Sequence, residues 1–170
     1  LNISNERMTA FEGIVRWKLR NNKAEILQSG EKSVSVPALT AQNVLTIDLS
    51  DELKNRTDPR EKYLEYSIME NGKELSFGTT LFVRPKEFTF LEPAITYGIS
   101  ESEDKFALTF CAENYAKSVC LSLKTADCVF SDNWFDIHGK EPVTIMIDKA
   151  SLSRKMTAQE LSEELEILHN

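Results

Sequence analysis

The sequence has very few of the residues on which most enzymes depend. Only two histidines, His138 and His169, occur among its 170 residues. A Ser–His or Cys–His nucleophile would have to be assembled from residues that no motif marks. Six glycines are scattered among turns, so there is no glycine-rich phosphate-binding loop. We therefore predict no catalytic residue, no bound metal and no cofactor.

Cysteine is too sparse for a metal site or a disulfide framework. Cys111, Cys120 and Cys128 are nine and eight residues apart. Zinc ligands usually come in pairs about two to four residues apart. We interpret all three as buried thiols of strands. A Cys111–Cys120 disulfide across a hairpin stays open as the alternative.

Long apolar runs and clusters of basic residues are also missing. No run approaches the roughly 18–20 residues that a membrane helix needs. The chain has 20 basic and 27 acidic residues, a formal net charge of −7, without a Lys/Arg cluster. This charge argues against nucleic acid and membrane as partners. Hydrophobic residues make up 41% of the chain, which is enough for a folded core.

Apolar and polar residues alternate along much of the first half. Val15, Trp17 and Leu19 point to one side of a predicted strand, as a half-buried strand requires. Asn71-Gly72 predicts a type I′ hairpin turn. The polar residues 50–60 predict a loop, and 21–23 a turn. Further strands of this half are predicted at 24–28, 34–36, 44–49, 63–69 and 75–83.

The pattern stops at Arg84-Pro85-Lys86, because proline removes a ladder donor, and then restarts. Thr157 and Glu160 form a capping box, which predicts one short helix before a last strand at 166–169. The strand spacing of about 8–12 residues predicts an all-β fold of two tandem immunoglobulin-like β-sandwiches. We place them at residues 1–84 and 85–170. Other strands of this half are predicted at 88–90, 95–99, 106–110, 119–123, 129–137 and 143–147.

The most distinctive stretch is Phe130-Ser131-Asp132-Asn133-Trp134-Phe135-Asp136, hereafter the 130–136 segment. It is either a strand entering a core or part of a binding surface. Neighbours in a strand face opposite ways, so a core Phe135 leaves Trp134 at the surface or at a domain interface. We expect Asp132 and Asn133 to form an Asx turn. Trp134 is the one candidate binding residue.

This segment, followed by Gly139 and a Val143-Thr144-Ile145 strand, resembles the C-terminal domain of β-mannosidases in the second glycoside hydrolase family. Pro85-Lys86 resembles the start of that domain, and Ala116-Lys117-Ser118-Val119 resembles one of its strands. Residues 15–19 and 34–38 resemble the preceding immunoglobulin-like domain. Two departures are His138 in place of the usual proline and Lys140 inserted before Glu141.

The resemblance implies that the two catalytic glutamates belong to a (β/α)₈ barrel of about 250 residues upstream. It thus implies a non-catalytic C-terminal accessory fragment of a retaining β-mannosidase, whose partner is that barrel. The start at Leu1, already within strand-like sequence, suggests a segment excised from a longer protein. A processed N-terminus is the alternative.

Several properties stay open at this stage. Carbohydrate binding and a homodimer through these domains are both compatible with the sequence. So are periplasmic, secreted and cytoplasmic locations. The alternative function is a free-standing carbohydrate-binding or adhesion β-sandwich module.

Overall fold

The chain folds mostly into β-strands, and the predicted all-β class is confirmed. The computed structural model describes residues 1–139 and 141–169, and strands account for 49% of it. Close packing divides the chain into a first unit, Leu1–Thr89, and a second that begins at Phe90. The predicted domain limits, 1–84 and 85–170, stay predictions.

The first unit combines a large and a small antiparallel sheet. A short helix, α1 (Asp58–Glu61), precedes one of its strands. The small sheet pairs β1 (Asn2–Asn5) with β4 (Thr40–Asn43). The large sheet has the order β3 (Ile26–Val36), β2 (Phe11–Asn21), β5 (Lys62–Glu70), β6 (Lys73–Leu81).

The core of the first unit follows the alternation of β2. Val15 and Leu19 are buried and Trp17 is half-buried on one face, as predicted. The Trp17 ring lies across β3 at Gly30, where an added Cβ would come within 2.8 Å of its indole nitrogen. Ile3 of β1 packs onto this face, so the two sheets form a sandwich.

Several details of the first unit differ from the prediction. The helix α1 begins within the predicted 50–60 loop and adds a second helix to the one expected near the C-terminus. The strands expected at 24–28 and 34–36 are one continuous strand, β3, because the polar residues between them pair with β2. Residues 44–49 bury Val44 and Leu49 but belong to no strand. They cover the core beside Leu19 and Leu64 instead of joining a ladder. The turn predicted at 21–23 closes at Ala24, whose N–H donates to the Asn21 carbonyl at 2.9 Å and whose φ is 62°.

The predicted hairpin between β5 and β6 is confirmed. Asn71 and Gly72 have φ values of 51° and 77°. Two successive positive φ angles are the signature of a type I′ turn, for which Asn-Gly is the preferred pair. The sequence therefore determined this turn locally.

The second unit is a sandwich of two three-stranded antiparallel sheets. Phe110 and Phe135, one from each sheet, pack with ring centroids 5.6 Å apart in the shared core. One sheet has the order β11 (Val143–Asp148), β8 (Lys105–Cys111), β7 (Thr96–Glu101). The other has the order β10 (Phe135–Ile137), β9 (Ala116–Leu123), β12 (Leu165–Leu168).

The predicted short helix near the C-terminus is confirmed as α2 (Ala158–Glu164). The Thr157 side chain accepts from the Glu160 N–H, and the Glu160 carboxylate accepts from the Thr157 N–H at 2.7 Å. That backbone N–H, together with the Thr157 hydroxyl, lowers the pKa of Glu160. Leu161 of α2 is fully buried, so the capped helix closes the core of the second unit.

Two predicted strands of the second half are wrong or shortened. Residues 88–90 form no strand and follow a single 3-10 turn at Pro85–Glu87, where proline fixes φ. The strand predicted at 129–137 is confined to β10, and before it Phe130 makes only an isolated bridge to Ile147. Between Phe130 and β10, side-chain hydrogen bonds replace the ladder.

Candidate functional site around Trp134

Polar side chains connect the 130–136 segment to one strand of each sheet of the second unit, β11 and β9. The Ser131 N–H donates to the Met146 carbonyl, and the Met146 N–H donates to Ser131 Oγ, both at 2.8 Å. Asn133 Oδ1 accepts from the Leu121 N–H at 2.8 Å, and Asn133 Nδ2 donates to the Leu121 carbonyl at 2.9 Å. The Asn133 amide thus takes the place of a backbone strand partner of β9.

Asp136 stabilises a bulge in β9. Phe135 pairs with Val119 and Ile137 with Ala116, so two residues of β9 stand opposite the one residue between them. Ser118 in this bulge has a φ of 54°, and its N–H donates to Asp136 Oδ1 at 2.8 Å. A carboxylate that accepts from the backbone of a bulge fixes its position.

Two further donors reach the same carboxylate. Lys117 Nζ lies 3.0 Å and the Tyr115 hydroxyl 3.2 Å from Asp136 Oδ2. Tyr115 is 1% exposed, so this network lies at the margin of the core. It makes Asp136 a structural residue.

Trp134 stands out from these anchored neighbours. Its side chain is 67% exposed, whereas Phe135 is 7% exposed. Its φ is 64°, in a region that bulky residues rarely adopt and that often accompanies a functional constraint. Asn133 and Phe135 hold the chain on either side, which explains how the tryptophan keeps this conformation.

The exposure of Trp134 has a different cause from the one that strand alternation predicts. Strand alternation does not set its orientation, because Trp134 precedes β10 and has a positive φ. The expected Asx turn is also wrong. The Asn133 and Trp134 N–H groups donate to the side-chain oxygen of the residue just before each, Asp132 and Asn133, at 2.8 and 3.0 Å, rather than two residues on. The Lys140 insertion lies outside the described residues.

We expect Trp134→Gly to be about 1 kcal/mol more stable than Trp134→Ala, because only glycine adopts positive φ without steric cost. Urea unfolding of both variants measures the difference. Both variants lack the indole ring, so their difference reports the backbone conformation at position 134. Equal stabilities would show that the backbone at Trp134 carries no strain.

The predicted thiols are free but less buried than expected. Cys111, Cys120 and Cys128 are all half-buried and unbridged, so the alternative Cys111–Cys120 disulfide is not formed. Cys128 lies between β9 and β10 and not in a strand, which corrects that prediction. Within residues 1–139 and 141–169, no cluster of three or more His, Cys, Asp or Glu side chains could hold a metal.

Burial, followed by the nearby Asp127 carboxylate, raises the pKa of Cys128 to about 11. Thiolate is the reactive form. Alkylation of Cys128 by iodoacetamide should therefore rise about tenfold per pH unit up to near pH 11. Peptide mass spectrometry after timed quenching measures the alkylation rate of Cys128. In urea the alkylation rate of the same thiol should level off near its ordinary pKa of about 8.5. A rate in the folded protein that already levels off near pH 9 would contradict the expectation.

One buried ion-pair network in the first unit had no sequence signal. Arg20 and Glu65 are 4% and 7% exposed, and Arg20 Nε lies 2.6 Å from Glu65 Oε2. Lys18 Nζ lies 3.0 Å from the other carboxylate oxygen, and Arg20 Nη1 donates to the Ala24 carbonyl at 2.7 Å. This carboxylate balances two cations, so its role is structural.

Comparison with known proteins identifies both halves of the chain. The family model for the mannosidase Ig/CBM-like domain matches residues 1–87. The chain belongs to the mannosidase Ig/CBM-like domain family. The model of an Ig-fold domain, also named for mannosidase, matches residues 90–169. The suspected family is thereby confirmed. No curated protein sequence matches the chain.

Solved structures share the fold of this mannosidase Ig/CBM-like chain. A β-D-mannosidase from Dictyoglomus thermophilum matches 99% of it with a TM-score of 0.76 and 17% sequence identity. An exo-chitosanase from Amycolatopsis orientalis matches 99% with a TM-score of 0.61 and 14% identity. The chain spans only 20% and 24% of these two proteins.

None of the helices within the described residues is long and apolar enough to cross a membrane.

Proposed function

We propose that this chain is the non-catalytic accessory part of a larger β-mannosidase-like glycoside hydrolase. The observation that carries the proposal is the extent of the match. Two mannosidase-associated domain models cover nearly all of the chain, which corresponds to one fifth of a β-D-mannosidase. The remaining four fifths of such a protein has room for a catalytic barrel of about 250 residues.

The parent enzyme in this proposal is a retaining hydrolase of terminal β-mannosides. Retaining glycosidases need a carboxylic acid and a carboxylate nucleophile about 5–5.5 Å apart. Two well-buried carboxylates of this chain already have structural partners. Glu65 forms ion pairs with Lys18 and Arg20, and Asp136 accepts a hydrogen bond from the Ser118 N–H in the β9 bulge. We therefore place the catalytic pair in the barrel, which these sandwiches support by burying apolar surface against it.

Trp134 is the residue that we assign to contact with the barrel or with a neighbouring domain of the parent. A large aromatic side chain that is 67% exposed gains the most from becoming buried at an interface. Its fixed position between anchored residues also lowers the entropy lost on binding.

A free-standing carbohydrate-binding or adhesion module is the second candidate. The exposed indole of Trp134 favours it, because sugars bind on aromatic surfaces. In this case Trp134 contacts sugar directly. The family model that is described as CBM-like matches residues 1–87 and so concerns the other half of the chain. A homodimer through these domains is compatible with either function.

Titration of the separate chain distinguishes the two functions. We expect no shift of the Trp134 indole NMR signal with β-1,4-mannobiose up to 10 mM or so, which corresponds to binding weaker than about −3 kcal/mol. We also expect no release of nitrophenol from 4-nitrophenyl β-D-mannoside. Saturable shifts of the indole signal, together with backbone amide shifts that disappear in Trp134→Ala, would support the binding module and overturn the accessory role.

A further inference from the structure

One face of the large sheet of the first unit becomes exposed toward the β6 edge. On the face that packs against β1, Val15 is 2% exposed, its neighbour Ile68 on β5 is half-buried, and Ser76 beside Ile68 on β6 is exposed. At the opposite edge, β3 is covered only at its end, where Val34 and Val36 are 8% and 0% exposed, whereas Lys32 beside Val15 is exposed. The sandwich is therefore closed over the end of β3 and open over β6 beside Ile68.

An elongated cleft lies where the cover is missing. It consists of two adjoining cavities of about 450 and 290 Å³ that share Ile3 and Ile68. Val15 lies at its base and Leu75, which is 44% exposed, lies on its far wall. The cleft follows β1 along its length and is mainly apolar where the core of a sandwich would continue.

The strand β1 borders this cleft with a free edge. Among the described residues β1 pairs only with β4. Leu1 accepts from the Val44 N–H on the β4 side. Alternation along an antiparallel ladder then directs the N–H and C=O groups of Asn2 and Ser4 toward the cleft. An open row of backbone groups is a template for another strand.

We infer, resting on the proposed function, that an extended strand of the parent hydrolase from outside these 170 residues occupies the cleft. It pairs with β1, makes the small sheet three-stranded and places alternate apolar side chains over Ile68. A strand supplies both the backbone partners and the apolar groups that the cleft requires. About four fifths of the similar β-D-mannosidase lies outside the matched part, which provides the donor.

A designed N-terminal extension tests this pairing on the whole chain. Asn2 is the first residue of β1 whose backbone groups face the cleft. A two-residue hairpin turn places the residue that follows it in a hydrogen-bonded pair, so a turn directly before Asn2 brings a segment beside β1. The probe is Thr-Val-Thr-Val-Thr-Asn-Gly in place of Leu1, and the matched control replaces each valine of the extension by serine. We expect the unfolding equilibrium constant to be about tenfold smaller with valine, which is about 1.4 kcal/mol. Hydrogen exchange of the Asn2 and Ser4 amides should also be slower with the valine extension than with the serine extension.

Two substitutions within the sheet locate the effect. Ile68→Ala in both extended proteins should abolish most of the difference between valine and serine, because contacting groups couple energetically. Ile14→Ala, on the opposite face of the same sheet, should leave the difference unchanged. Each substitution is compared only between the two extensions, so its own effect on stability cancels.

Four results would overturn the inference. They are equal stability of the two extended proteins, an Ile68→Ala effect no larger than that of Ile14→Ala, protection of Ser4 by mannobiose, and protection that accompanies dimerisation of the unextended chain. The last two would assign the cleft to sugar or to a second copy. Equal stability of the two extended proteins, or an Ile68→Ala effect no larger than that of Ile14→Ala, would leave the accessory role intact, because that role is tested by activity and by sugar binding at Trp134.

Discussion

Glu65→Ala is expected to destabilise the first unit by about 3–5 kcal/mol, because it leaves a buried guanidinium without its carboxylate. Arg20 is 4% exposed and lies 2.6 Å from Glu65. Arg20 has little contact with solvent to replace the lost partner, and Lys18 loses the same carboxylate. Urea unfolding followed by far-ultraviolet circular dichroism measures the change.

Glu31→Ala is the matched control for this substitution. Glu31 pairs with Arg16 at 3.0 Å on the same large sheet, but these side chains are 60% and 48% exposed. An exposed pair contributes about 0–1 kcal/mol. If the two variants lost similar stability, the Arg20–Glu65 pair would not be buried as described.

Asp136→Ala is expected to destabilise the second unit by about 2–4 kcal/mol, because a partly buried carboxylate and its charge-assisted hydrogen bonds are lost together. The Ser118 N–H loses its acceptor within a bulge that has positive φ. The loss should also appear as faster amide exchange at Ser118. Thermal unfolding and hydrogen exchange by NMR provide the two measurements.

Two variants separate the parts of the Asp136 network. Asp132→Ala removes an exposed carboxylate of the same segment that accepts from the Asn133 N–H, and should change stability by less than about 0.5 kcal/mol. Lys117→Ala removes the ion pair but keeps the backbone cap, so it should cost less than Asp136→Ala. A larger loss in Lys117→Ala would mean that charge, and not the bulge, determines the role of Asp136.

The parts of the fold that the sequence predicted depend on local signals. Alternation in β2 follows from the two-residue period of a strand with one buried face. Asn71-Gly72 and the Thr157–Glu160 capping box determine their turn and helix start through the conformations of the residues themselves. Such signals need no knowledge of the rest of the chain.

The parts that were missed depend on distant partners. Residues 44–49 alternate like a strand, yet they cover the core beside Leu19 and Leu64 and join no ladder. The burial of Arg20 follows from Glu65, which is 45 residues away. No periodicity in the sequence indicates which buried position will hold a charge.

The 130–136 segment contains both features that the sequence predicted and features that depend on distant partners. The burial of Phe135 and the exposure of Trp134 agree with the sequence interpretation, but the cause is different. The polar residues of the 130–136 segment bind backbone groups of β9 and β11, which are 12–18 residues away. Only the structure shows that these residues anchor the chain on both sides of an exposed tryptophan.

The most direct test of the accessory role is the rate of thermal inactivation of the parent hydrolase with and without residues 1–170. Hydrolysis of 4-nitrophenyl β-D-mannoside is the readout. We expect the truncated enzyme to retain activity at first and to inactivate at least about tenfold faster, which corresponds to about 1.4 kcal/mol of barrier. Unchanged inactivation, or mannoside hydrolysis by the 170-residue chain alone, would contradict the proposed function.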